Sequence, residues 1–192
     1  MNTRLLPSLT AAGLLAAGAA SAQSIPLSEN SDTDDVTLRG AVAAGCRMDT
    51  PSAPTASNAE IEALGPGSAD IAISQLVDET GEPVGAVVVL ELPAVCNQAH
   101  TLNLVSLNGA LQSDGPPVTA GPFRSSLPYQ VTVAWGGGAP QVFQSLDEAL
   151  EVVVGEAISG AITLTIQIPA GGDPLAAGAY ADELILELGV AG

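Results

Sequence analysis

The chain offers few side chains able to do chemistry. Among 192 residues there is one histidine, His100, two cysteines, Cys46 and Cys96, and four arginines against 21 Asp and Glu. Nucleophilic hydrolysis needs a base held beside a hydroxyl or thiol, and His100 is the sole imidazole. Its place at a strand start just after Cys96-Asn97 predicts a solvent-edge or hydrogen-bonding residue rather than a base. One histidine and two cysteines also fall short of the usual zinc ligand set. Two carboxylates can flank a scissile bond only from the same side of the chain. Asp147/Glu148 and Asp182/Glu183 are sequence neighbours, so on a strand they point to opposite faces and read as solvated acidic surface. Asn30, Asp32 and Asp34 have the alternate spacing that opens a calcium loop. However, Asp35 stands where the turn glycine is needed and Ala41 where the bidentate Glu is needed, so a calcium site of that type is rejected. The glycines at Gly136 to Gly138 and Gly171-Gly172 have no accompanying lysine and read as turns rather than phosphate cradles. Tyr129 and Trp135 share strand parity with Val131 and Val133, which predicts core packing; a carbohydrate platform would need the rings exposed. No catalytic residue, metal or cofactor is expected.

Charge narrows the partners. The net charge is −17, lysine is absent, and Arg4, Arg39, Arg47 and Arg124 are scattered. Without a basic patch to neutralise phosphates, nucleic-acid and anionic-membrane binding are both disfavoured. At the N-terminus, Arg4 precedes an Ala/Leu/Gly-rich run from Ala11 to Ala20 and the small-x-small sequence Ala20-Ser21-Ala22. That layout is a secretory signal peptide over 1–22, cleaved after Ala22. An uncleaved anchor would want a charge cluster after Ala22 to halt transfer, so no integral membrane span is expected. The predicted destination is the periplasm, then the cell surface or the extracellular space. Export makes Cys46 and Cys96 readable as a disulfide, since exported thiols are normally oxidised and two cysteines allow one intramolecular connectivity. Closing a loop of about 50 residues is worth roughly 4 kcal/mol in the loop-closure picture. The competing readings are two buried free thiols or an intermolecular bridge.

The elements that must position these residues follow from alternation and turn chemistry. Residues 23–35 form a polar arm with Glu29, Asp32, Asp34 and Asp35 and only Ile25 and Leu27 as apolar residues. The rest, 36–192, reads as one domain. Strands are predicted at Val36–Ala44, Ala69–Val77, Val84–Leu92, His100–Leu107, Tyr129–Trp135, Ala161–Ile168 and Tyr180–Leu188. Between them, Asp49–Ser68 reads as loop with one helical turn over Asn58–Leu64, Asn58 acting as its cap. Ser145–Val154 reads as a short helix or turn leading into a strand. Asn108-Gly109 suits the positive φ of a tight turn. About seven or eight strands without long helices describe an all-β sandwich.

Several landmarks together resemble the spore coat protein U domain family, which includes secreted pilins of archaic chaperone-usher systems. They are an N-terminal strand ending in Cys46, an apolar strand leading to Cys96-Asn97, and Ser106-x-Asn108-Gly109-x-Leu111. Leu127-Pro128-Tyr129 then opens a strand that ends at Trp135-Gly136, and Gly178-Ala179-Tyr180-Ala181-Asp182 opens the last strand. The resemblance covers most of the chain after the signal peptide. It implies an immunoglobulin-like sandwich that lacks its final strand. The groove so left is filled first by a strand from a periplasmic chaperone, then, at the usher, by one from a neighbouring pilin subunit. Leu184, Leu186 and Leu188 alternate with Ile185 in the last predicted strand and would line that groove. The expected function is a non-enzymatic fibre subunit serving adhesion or biofilm formation; the alternative is a soluble periplasmic or secreted binding module with a self-completed sandwich.

Overall fold

A computed structural model describes residues 39–116, 118 and 121–190. The expected signal peptide over 1–22, the expected acidic arm over 23–35 and the rejected calcium spacing that begins at Asn30 lie outside the described residues. The fold is that of the unit Ala41–Gly192. Its strands are β1 (Cys46–Met48), β2 (Ser52–Ser57), β3 (Ala59–Gly65), β4 (Ser68–Ile73), β5 (Ala86–Cys96), β6 (His100–Ser106) and β7 (Leu111–Ser113). They continue with β8 (Ser126–Leu127), β9 (Gln130–Ala134), β10 (Gln141–Gln144), β11 (Leu150–Val154), β12 (Ile158–Ile168), β13 (Tyr180–Ala181) and β14 (Leu184–Val190).

The larger sheet runs β1-β5-β12-β9-β10, with β2 sharing the β5 edge that β1 occupies. The opposing sheet is β11-β6-β14. Smaller sheets β13-β7-β8 and β3-β4 complete the fold, and every strand pair is antiparallel. Strict alternation drives this arrangement. Val88, Leu90 and Leu92 of β5 face inward beside Ile166, Leu164 and Ile162 of β12, and all six are buried. Leu102 and Leu104 of β6 meet them from the other layer, fully buried. The result is the all-β sandwich that the alternation predicts, with Tyr129, Val131, Val133 and Trp135 on its core face. No helix among the described residues is long and apolar enough to cross a membrane.

Three expectations need correction. The described part of the predicted Val36–Ala44 strand is exposed and unpaired in any sheet, Val42 being 89% exposed; its alanines and glycines bury too little, and pairing begins only at Cys46, opposite Cys96. The Asp49–Ser68 loop is instead β2 and a hairpin strand, β3. Ala59, Ile61 and Ala63 recur with a period of two, and Asn58 takes a left-handed φ of 58° rather than capping a helix. Asn58 Oδ1 accepts from Gln75 N at 2.9 Å while its Nδ2 donates to Gln75 O at 2.7 Å, pinning the hairpin's two ends together. Ser145–Val154 takes the turn alternative of its reading: Ser145–Asp147 is a turn, with Asp147 Oδ2 accepting from Gln144 N at 2.9 Å, and it leads into β11 as expected. The last predicted strand is broken at Asp182-Glu183 into β13 and β14. Two short strands, β7 and β10, were not anticipated at all.

Candidate functional site

Three of the motifs converge on one carboxylate. Asp182 Oδ2 accepts from Tyr129 Oη at 2.6 Å and from Ser106 Oγ at 2.5 Å. Its Oδ1 accepts from the backbone N of Asn108 at 2.9 Å and of Glu183 at 2.8 Å. Asp182 keeps the inward parity of Tyr180 and Leu184 across the break between β13 and β14, which corrects the reading of it as solvated surface. Asp182 thereby ties the Asn108-Gly109 turn, where Gly109 has a φ of 75°, to the start of β9 and the entry to β14. Burial first, and the hydrogen bond to the Asp182 carboxylate second, hold the Tyr129 phenol well above the ordinary tyrosine range, so it stays a neutral donor.

The other motif residues do not join this hub. Gly178 is required by close approach, since any side chain there would run into Ser113 Oγ. The Tyr180 hydroxyl lies 2.9 Å from the Ala176 carbonyl and 3.1 Å from that of Arg124. Leu127 is fully buried beside the half-buried Pro128.

At another point the predicted disulfide is present, Cys46 bonded to Cys96. Asn97 locks the chain entering it, accepting from Gly45 N at 2.8 Å and donating to the Ala43 carbonyl at 2.7 Å. His100 lies beside the sulfurs. It is fully buried, not at a solvent edge: Trp135 Nε1 donates to its Nε2 at 2.7 Å, and its Nδ1 faces the Gln98 carbonyl at 2.9 Å. That pairing fixes the Nδ1–H tautomer and occupies both ring nitrogens. With the sulfurs bonded to each other and the imidazole engaged, this trio is a packing device.

One feature with room for a partner is a groove of about 530 Å³. Leu90, Leu92, Leu164 and Ile166 form its floor, β4 flanks one side with Ile71 and Ile73, and β14 flanks the other with Leu184 and Leu186. Tyr129 and Asp182 lie at its lining, so the hub fixes where β14 begins. Both flanking strands are edges. Leu107 N donates to Glu183 O at 2.8 Å, which sets the ladder phase so that Ile185 and Glu187 bond to β6. Leu184, Leu186 and Leu188 therefore turn their N–H and C=O groups away from β6. By the same reasoning Ser74 N donates to Asn58 O at 3.1 Å, and Ala69, Ile71 and Ile73 turn theirs away from β3. Among the described residues no strand pairs either outer edge. The side chains of these same residues are only half-buried. Sequence reasoning identified the β14 wall from its leucines but missed the β4 wall, although Ala69, Ile71 and Ile73 carry the alternation that would have placed it.

Compared with known proteins, the chain matches no family model, no curated protein and no solved structure.

Proposed function

We propose that this chain is a non-enzymatic, exported structural subunit of a surface fibre, of the spore coat U pilin kind, assembled by donor-strand complementation. The observation that carries the reading is the groove with an apolar floor between two strand edges that lack partners. Such a groove is an acceptor for an added strand: main-chain hydrogen bonds on both sides supply affinity, and alternate side chains meet the floor. Left open, the same edges template aggregation. The disulfide suits an oxidising compartment, and the convergence of Asn108, Tyr129 and Asp182 gives the three motifs a shared structural task. The partners in this reading are a periplasmic chaperone, an usher and neighbouring subunits, and the outcome is adhesion or biofilm formation.

The test compares the exported chain with the same chain carrying a C-terminal peptide of alternating large apolar residues on a flexible linker. Size-exclusion chromatography should show self-association or degradation of the first and a soluble monomer of the second. A stable monomer without any donor would overturn the fibre reading and favour a self-completed binding module.

A further inference from the structure

The groove has a charge character that its apolar floor conceals. Its lining carries Asp70 on β4 and Asp182 and Glu183 at the entry to β14, and no Lys, Arg or His. Asp182 is engaged by four donors, all of them neutral hydroxyls or amides, so its charge is dispersed but not cancelled. Asp70 and Glu183 are exposed on the flanking strands. An entering strand thus meets a negative mouth on a chain whose net charge is −17.

A second copy of this chain is a poor match for that mouth. It has no lysine, and its residues 23–38 hold Glu29, Asp32, Asp34 and Asp35 with no cation before Arg39. Of its remaining arginines, Arg47 is paired with Asp49 at 2.8 Å, and Arg124 is bound to the backbone carbonyls of Asp173 and Gly171. Resting on the strand-acceptor reading above, we infer that the groove takes an extended segment of a different, basic protein. That segment alternates large apolar residues and carries lysine or arginine where it passes Asp182 and Glu183. Charge complementarity then selects the partner and speeds its arrival, while the floor and the two edges supply the bulk of the affinity. The consequence for assembly is directional: this chain receives a strand from another kind of chain rather than polymerising with itself.

Labelled peptides of one alternating Val/Ile/Thr core, flanked by Lys in one and Glu in the other, are titrated with the native chain at nanomolar concentration, where dilution suppresses self-association. A third peptide spans the chain's own residues 23–39. Fluorescence anisotropy should show the Lys peptide binding about tenfold or more tighter than the other two at low salt. That ratio should fall towards one at about 1 M salt, where screening is nearly complete. A Glu183→Gln, Asp70→Asn double variant should flatten it too, with the Glu-peptide affinity unchanged or improved. Equal affinity for Lys and Glu peptides, or a 23–39 peptide as tight as the Lys peptide, overturns the basic-partner inference while leaving strand acceptance standing. Failure of every peptide to bind overturns strand acceptance itself.

Discussion

β12 and β14 carry the same pattern and meet different fates. Ile162, Leu164 and Ile166 of β12 are 0%, 3% and 9% exposed, because β5 and β9 pair its two edges and its face points into the sandwich, even where Leu164 and Ile166 line the groove. Leu184, Leu186 and Leu188 alternate just as regularly, yet they are only half-buried, with β6 on one side; Leu184 and Leu186 line the groove on the other, while Leu188, expected to line it too, does not. Period-two alternation reports which side chains share a face. It does not report whether anything lies over that face. The second piece of information resides in the hydrogen-bond inventory: a central strand satisfies both of its edges, whereas β14 satisfies one.

The difference can be sharpened by truncation. Leu102→Ala removes atoms from a closed part of the core, away from the groove, and should cost about 3 to 4 kcal/mol in urea unfolding. Leu186→Ala, the same chemistry at an open groove, should cost about 1 kcal/mol in the chain alone. With a donor strand bound, the cost of Leu186→Ala should rise towards that of Leu102→Ala. Equal costs in the unbound chain would mean that the groove is already filled.

An effect between those two comes from the hub that sets where β14 starts. Asp182→Ala leaves the Tyr129 and Ser106 hydroxyls without their acceptor and should cost about 2 to 3 kcal/mol. Because it frees the entry to β14, it should also weaken strand binding, which a merely local loss of stability would not do. Loss of stability with unchanged strand binding would show that β14 is held by β6 alone.

Much of this molecule was legible beforehand. The long strands β5, β6, β9, β12 and β14 announce themselves by alternation, and the disulfide by cysteine arithmetic together with the expectation of export. What the sequence hid is instructive. Ala-Glu-Ile-Glu-Ala after Asn58 suits a helix by propensity, yet its period of two matches β3, and pairing with β4 prevailed over intrinsic preference. His100 could not be placed without knowing that Trp135, 35 residues away in sequence, would donate to it. Asp182 read as surface because its neighbour Glu183 is a carboxylate too, although by period-two parity it shares the inward side of Tyr180 and Leu184. The groove itself was half-visible: one wall follows from the leucines, while the other, β4, falls in the predicted Ala69–Val77 strand but is placed by its partner β3, which lies in a stretch rich in Pro, Ser and Ala.

The most direct test of the central claim is residue-resolved amide hydrogen exchange on the chain with and without a donor strand. Amides of Leu186 and Ile71, which point away from their only paired neighbours, should exchange quickly in the free chain, while Ile185 and Leu164 are protected by their partners. Adding the donor should slow Leu186 and Ile71 together by orders of magnitude and leave Leu164 comparatively unchanged. Protected Leu186 and Ile71 amides in the free monomer would contradict the account, because the two edges would then already be paired.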